Sequence, residues 1–154
     1  MSSIQSIGSR GARQAEETAA QPEAKIMRFQ EITDGRGSLV VVEDLKDIPF
    51  RIARIFYIYG TDTEAVRGCH ANRKTEFVLI NVCGSSKVKA MNGRTEEVYV
   101  VDKPSVGVYL PKMVWKEMYD FSADSVLLCL CSENYDPGEY IRDYNAFLKE
   151  VRCL

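Results

Sequence analysis

Polar side chains surround the single histidine of the chain, His70. Residues 67–76 read RGCHANRKTE and lead into the apolar run 77–80. In an extended strand His70, Asn72 and Glu76 share parity, so we expect them to point to one face. Burying three polar groups is costly without a ligand, which makes this segment a candidate site. The alternative is a histidine at a strand entrance that bonds Asn72 or a carbonyl.

A second polar group lies at residues 115–120, WKEMYD, after a strand that ends in a proline turn. In a strand Lys116 and Met118 share one face, whereas Glu117 and Tyr119 share the other. The alternative for Lys116 and Glu117 is a solvated edge face.

Three arginines occur in segments with strand character, where charged residues are not favoured: Arg36, Arg54 and Arg67. A guanidinium matches phosphate oxygens in two-point geometry, so one of them at the mouth of a barrel could hold a diphosphate. The alternative for each is a side chain that only faces solvent.

Short β-rich runs separated by turn residues predict the elements that must position these groups. The predicted strands are 26–32, 38–43, 52–59, 75–82, 87–91, 96–101, 105–110, 114–121 and 125–131. Asn92-Gly93 predicts a tight hairpin, because both residues tolerate positive φ. Asp136, Pro137 and Glu139 have the pattern of a helix start, and apolar residues at helical spacing follow. We therefore predict an all-β sandwich or barrel with one C-terminal α-helix packed on it.

The composition narrows the possible functions and partners. The chain has 154 residues, and 20 Lys plus Arg against 22 Asp plus Glu give a net charge of −2, which argues against a nucleic-acid binder. No apolar run approaches a membrane span, and residues 1–24 have no secretory apolar region, so we expect no membrane partner. Five cysteines without a CxxC pair suggest free thiols and a cytoplasmic location. We expect a flexible tail over 1–24 and a single domain over 25–154.

The arrangement of these motifs resembles the cupin superfamily. His70, Asn72 and Glu76, followed by Gly84, look like a degenerate first cupin motif, and residues 107–116 look like the second, with Lys116 where a metal-binding histidine would stand. More specifically, the chain resembles the WxcM-like sugar 3,4-ketoisomerases that act on dTDP-4-keto-6-deoxyglucose. The segments that carry this resemblance are 34–39, 48–50, 67–71, 114–115 with 117–118, 120–122 and 140–144.

This resemblance implies a cupin-type jelly-roll barrel, a homodimer and no catalytic metal or cofactor. It implies a reaction that moves a carbonyl from C4 to C3 of a dTDP-linked hexose through an enediol in deoxysugar biosynthesis. His70 matches the first of two family histidines, and its ordinary pKa of about 6.5 suits a group that accepts and returns a proton near neutral pH.

We assign the catalytic residues His70, Asn72 and Tyr119, and the substrate-binding residues Arg54, Arg67, Lys116 and Glu76. Asn72, Lys116 or Tyr119 would donate to the enediol oxygen, and Arg54 and Arg67 would bind the diphosphate.

Asparagine stands where relatives have the second histidine, and Lys116 and Tyr119 also stand where relatives have histidine. An amide cannot shuttle a proton at physiological pH, so Tyr119 or Lys116 would have to act as the second acid. Of the metal-cupin ligand positions only His70 and Glu76 keep good ligands, so we expect no tightly bound transition metal. The alternatives are a non-catalytic module that binds a nucleotide sugar and a structural partner of another sugar enzyme.

Overall fold

The computed structural model describes residues 23–154, and twelve β-strands are their main secondary structure. In chain order they are β1 Lys25–Arg28, β2 Glu31–Asp34, β3 Gly37–Val40, β4 Arg54–Tyr59, β5 Arg67–Asn72, β6 Phe77–Cys83, β7 Ser86–Met91, β8 Glu96–Val101, β9 Val106–Leu110, β10 Trp115–Tyr119, β11 Val126–Cys131 and β12 Tyr140–Ile141. A 3-10 turn, Pro137–Glu139, precedes β12, and one helix, α1 Tyr144–Arg152, follows it.

Ten of these strands form two five-stranded antiparallel sheets. The first sheet has the order β1-β9-β6-β11-β4, and the second has the order β12-β5-β10-β7-β8. Strands β2 and β3 pair with each other as a separate hairpin. A buried apolar cluster lies between the two sheets and takes side chains from both. The predicted all-β jelly-roll with one C-terminal α-helix is thereby confirmed.

Strand β6 shows why part of the sequence reads as an unbroken apolar run. Phe77 and Leu79 lie in the cluster between the sheets. Val78 and Ile80 point the other way and lie in a second buried cluster with Phe29, Ile48 and Phe50. Because both faces of this strand are buried, both parities must be apolar.

The helix start predicted at residue 136 is wrong. Asp136 caps only the 3-10 turn, where its side chain accepts a hydrogen bond from the Gly138 N–H. Strand β12 then pairs with β5, so the backbone is extended before α1 begins behind its N-cap, Asp143. Sheet pairing overrides local helix signals here, because the β12 backbone groups find partners on β5.

The predicted strand 26–32 is two strands in the structure, since β1 pairs with β9 whereas β2 pairs with β3. Ala24 contacts the second sheet, because its carbonyl accepts a hydrogen bond from the Tyr99 hydroxyl at 2.9 Å. The rest of the predicted tail, residues 1–22, lies outside the described residues. Among residues 23–154, no helix has the length and apolar character needed to cross a membrane.

Candidate active site

A cavity of about 200 Å³ opens between the two sheets and contains the only histidine. Its wall is formed by Phe56, Ile58, Arg67, Gly68, His70, Phe77, Leu79, Lys116, Met118 and Tyr140. The wall combines apolar side chains with a few polar ones, the usual character of a small-molecule site.

His70 is held in one tautomer. Its Nδ1 lies 2.9 Å from the carbonyl oxygen of Gly68. Because a carbonyl only accepts hydrogen bonds, Nδ1 carries the hydrogen and Nε2 keeps a lone pair. Burial, with the Lys116 charge as a further cause, lowers the pKa of His70 from 6.5 to about 4. The side chain is therefore an unprotonated base at neutral pH. Its pKa lies below the ordinary value of 6.5 that the sequence analysis assumes.

A β-bulge in β5 directs this segment toward the cavity. Lys116 pairs with His70 and Glu117 pairs with Gly68, so Cys69 is an extra residue in the ladder. Gly68 and Cys69 both have positive φ, 84° and 55°. In a regular strand residues 67 and 70 would face opposite ways, yet Arg67 and His70 both line the cavity. The sequence signal for this bulge is Gly68, because a glycine within a strand often marks a bulge.

Lys116 lies across the strand pair from His70 and is only 3% exposed. Its Nζ donates to the Asn72 Oδ1 at 2.6 Å and sits 4.3 Å from the centroid of the Phe77 ring. Burial lowers the pKa of Lys116 from 10.5 to about 7, although the Glu139 charge opposes this effect. The solvated edge face considered for this residue is therefore excluded.

Asn72 and Glu139 form a buried layer behind Lys116. Asn72 is 1% exposed and does not line the cavity, and its amide contacts Lys116 instead. Its Nδ2 donates to the Glu139 Oε1 at 3.0 Å. Burial alone would raise the pKa of Glu139, but hydrogen bonds from Thr75, Lys74 and Asn72 hold that pKa below its usual range. Sequence reasoning took Glu139 for a helix-start residue and missed this role.

Arg67 and Tyr140 line the cavity, and ring contacts place Tyr135 and Arg142 beside Tyr140 and Arg54 beside Tyr135. We call these five residues the cavity mouth. The Arg54 guanidinium lies 5.6 Å from the Phe56 ring and 5.5 Å from the Tyr135 ring. Two of its nitrogens, Nε and Nη2, are buried without a hydrogen-bond acceptor among residues 23–154.

Arg142 stacks on the Tyr140 ring at 4.8 Å, and Tyr140 also contacts the His70 ring. Sequence reasoning did not select Tyr135, Tyr140 or Arg142 as site residues. Their places depend on β12, which the sequence reading took as helix.

Glu76 and Tyr119 do not reach the cavity. Glu76 bonds the hydroxyl of Tyr109, a residue packed on the outer face of the first sheet. The expectation that Glu76 shares a face with His70 is wrong, because the chain bends at residues 73–74 and resets the parity. Tyr119 has the parity opposite to Lys116 in β10 and is absent from the cavity wall.

Arg36, the third candidate arginine, pairs with Asp34 in the exposed hairpin. Across residues 23–154 there is no cluster of three or more His, Cys, Asp or Glu side chains placed to hold a metal ion.

Known proteins match both the sequence and the fold. The family described as FdtA, WxcM-like, C-terminal matches residues 22–152. A TDP-4-oxo-6-deoxy-alpha-D-glucose-3,4-oxoisomerase of Aneurinibacillus thermoaerophilus is 44% identical over 129 residues, which is 84% of this chain and 93% of the relative.

Two solved structures are similar over most of the chain. A 3,4-ketoisomerase from Helicobacter canadensis is 42% identical with a TM-score of 0.82, covering 84% of this chain and 98% of the other. The sugar 3,4-ketoisomerase QdtA from Thermoanaerobacterium thermosaccharolyticum, in complex with TDP, is 38% identical with a TM-score of 0.82, covering 84% and 95%. The chain therefore belongs to the FdtA family of WxcM-like proteins.

Proposed function

We propose that this chain is a dTDP-4-keto-6-deoxyhexose 3,4-ketoisomerase of deoxysugar biosynthesis. The observation that carries the proposal is the placement of His70 in a cavity across from the side chain of Lys116. His70 is an unprotonated base whose Nε2 has no hydrogen-bond partner among the described residues. Membership of the FdtA family supports the substrate class, since relatives at 38–44% identity are named as ketoisomerases or oxoisomerases of this kind.

The reaction is an internal proton rearrangement. His70 Nε2 takes the C3 proton, which gives an enediolate whose negative charge develops on O4. The proton of the O3 hydroxyl passes to O4 and C4 gains a proton from the enzyme, so that the carbonyl lies at C3. One hydrogen has moved from C3 to C4 and one from O3 to O4, a balance that requires no redox cofactor.

Lys116 is the cation that faces the developing negative charge on the enediol oxygen. A charge-assisted hydrogen bond in a site shielded from water stabilises such an oxyanion strongly. Because Lys116 is buried and fixed by Asn72, little reorganisation accompanies the reaction. We assign Asn72 to this supporting position and take Tyr119 and Glu76 out of the proposed set.

We assign the diphosphate to the cavity mouth. Arg54 has two buried nitrogens without an acceptor among residues 23–154, Arg67 lines the cavity, and Arg142 stacks on Tyr140. The dianion would also raise the pKa of His70 toward neutrality when the substrate binds, because an opposite charge favours the protonated form. Stacking on Tyr135 or Tyr140 would suit the nucleobase.

We further propose that the protein is a cytoplasmic homodimer. Strand β4 is at the edge of the first sheet, and Tyr57 and Tyr59 there are 60% and 69% exposed. Exposed apolar groups of this size on a sheet face suit a protein partner, here a second copy. All five cysteines are free thiols, which agrees with a reducing compartment.

The second candidate function is a nucleotide-sugar-binding module without catalysis. The observation in its favour is that Asn72, at the position of the second family histidine, is behind the cavity wall and cannot carry a proton. The two functions differ in whether a hydrogen of the bound sugar exchanges with solvent.

Proton NMR of dTDP-4-keto-6-deoxyglucose with the purified protein in deuterated water tests the proposal. We expect a 3-keto product that carries deuterium at C4, and we expect His70→Asn to lose at least about 100-fold in turnover while keeping its fold. An unchanged sugar whose thymidine signals broaden would support the binding module. Undiminished turnover in His70→Asn would refute the role of that residue.

A further inference from the structure

Glu139 is a buried carboxylate that four donors saturate. It is 3% exposed at the end of the 3-10 turn. Its Oε2 accepts from the backbone N–H groups of Lys74 and Thr75 at 2.8 and 2.9 Å. Its Oε1 accepts from the Thr75 hydroxyl and from Asn72 Nδ2. Such a carboxylate is fixed in both position and charge, because rotating it would leave several buried donors unpaired.

This carboxylate dictates the orientation of the Asn72 amide. A carboxylate only accepts and a lysine side chain normally donates, so the NH₂ group must face Glu139 and the carbonyl must face Lys116. The three side chains form one buried chain of hydrogen bonds that ends at the cavity.

Lys116 Nζ has one hydrogen-bond acceptor among residues 23–154, the Asn72 Oδ1. An ammonium has three donors, so the remaining N–H groups are available to the cavity that Lys116 lines. The Phe77 ring packs against Nζ and, with Asn72, limits where the group can move.

We propose that Lys116 is the proton donor to C4 and that Glu139 is a positioning residue, which holds Nζ at the cavity wall through Asn72. This inference rests on the proposed function and names the second proton carrier of that site. The Lys116 ammonium gives one proton to C4 and becomes an amine, while His70 has gained the C3 proton. Exchange with solvent then restores both groups for the next turnover.

The titratable groups around Lys116 support its assignment as the acid and the assignment of His70 as the base. The titratable groups that act on Lys116 are His70 on β5, the buried thiols Cys129 and Cys131 on β11, and Glu139 on the 3-10 turn. The neighbouring strands β6 and β7 place the uncharged Phe77 and Ala90 against it. The pKa of His70 is about 4 and that of Lys116 is about 7, so a neutral base and an ammonium coexist between these values. The free enzyme should therefore give a bell-shaped profile of kcat/KM against pH.

Lys116→Met is the first test, with Lys103→Met at an exposed lysine as the matched control. In deuterated water we measure two rates, deuterium entry at C3 of the substrate and formation of the 3-keto product. In Lys116→Met we expect the ratio of C3 exchange to product formation to rise at least about 10-fold, because His70 returns its proton to C3 when C4 has no donor. An unchanged ratio, or product formation close to that of the wild type, would overturn the assignment of Lys116.

Glu139→Gln tests the positioning role. The amide NH₂ of the glutamine must face at least one of the four donors, and this weakens the hydrogen-bond chain from residue 139 through Asn72 to Lys116. We expect a fall in kcat and a displaced alkaline limb of the kcat/KM profile, neither of which a purely structural role would produce in a folded variant. Asn72→Leu breaks the same link should Glu139→Gln not fold. A folded variant of either kind with wild-type kcat and pH profile would overturn the role of Glu139. Wild-type protein without C3 exchange or product would instead refute the proposed function itself.

Discussion

Replacing Lys116 by methionine should stabilise the protein at neutral pH, and the gain should shrink as the pH rises. The lysine is 3% exposed, and burial lowers its pKa from 10.5 to about 7. Between these two values the unfolded chain binds more protons than the folded chain, so the stability of the wild type rises with pH. Methionine fills a similar volume without a charge and has no such dependence.

The magnitude follows from the two pKa values. Each pH unit between them changes the stability by about 1.4 kcal/mol, less near the ends, which gives a cost of about 4 kcal/mol at pH 7 and about 2 kcal/mol at pH 9. Methionine leaves the Asn72 Oδ1 without its donor, which costs about 1–3 kcal/mol at any pH. We therefore expect Lys116→Met to be more stable at pH 7 by roughly 1–3 kcal/mol, and this advantage to fall by about 2 kcal/mol at pH 9.

Urea unfolding at fixed protein concentration measures this difference, with the fluorescence of Trp115 as the signal. This residue is the only tryptophan and is buried against Phe147. Lys103→Met is the control and should change stability by less than about 0.5 kcal/mol at both pH values. A Lys116→Met advantage that is equal at pH 7 and pH 9, or that grows with pH, would refute the reasoning.

Two further predictions concern the cavity mouth and the helix. Arg54→Gln should weaken binding of dTDP by about 10-fold or more, since it removes a guanidinium with two unpartnered nitrogens, and calorimetric titration measures the loss. Equal affinity would exclude Arg54 from the diphosphate site. Trp115→Ala should cost about 3–5 kcal/mol of unfolding free energy, because the indole packs on Tyr144 and Phe147 of α1, and thermal unfolding by circular dichroism tests this.

The fold could be predicted from the sequence where a local signal and the sheet agree. The strands of the first sheet follow apolar runs, and the Asn92-Gly93 turn joins β7 to β8 as expected. The start of α1 could not be predicted, because Asp136 and Pro137 give a helix-start pattern. The pairing of β12 with β5 that overrides this pattern depends on residues about 70 positions away.

The same distinction between local and long-range signals applies to the residues of the candidate site. The sequence and the family resemblance select His70 and Lys116, both of which line the cavity, and strand parity places Lys116 and Tyr119 on opposite faces. Strand parity gave the wrong face for Glu76, because the bend at residues 73–74 interrupts the alternation of side chains between the two faces. The contacts of Glu139 could not be predicted from the sequence. Its partners, Asn72 and Thr75, are more than 60 residues away, and no local pattern marks such a contact.

The arginines at the cavity mouth also bear on how a substrate arrives. The whole chain carries a net charge of −2, yet Arg67 lines the cavity together with Lys116, and Arg54 and Arg142 lie beside it against the rings of Tyr135 and Tyr140. A diphosphate ester would be repelled weakly by the molecule as a whole and attracted at this opening, so the local field would select both the place and the orientation of the encounter. The phosphate end would reach the mouth first, and the sugar would then swing inward. Because charges more than about 8 Å apart are screened at physiological ionic strength, this guidance acts only over the last few ångströms of approach.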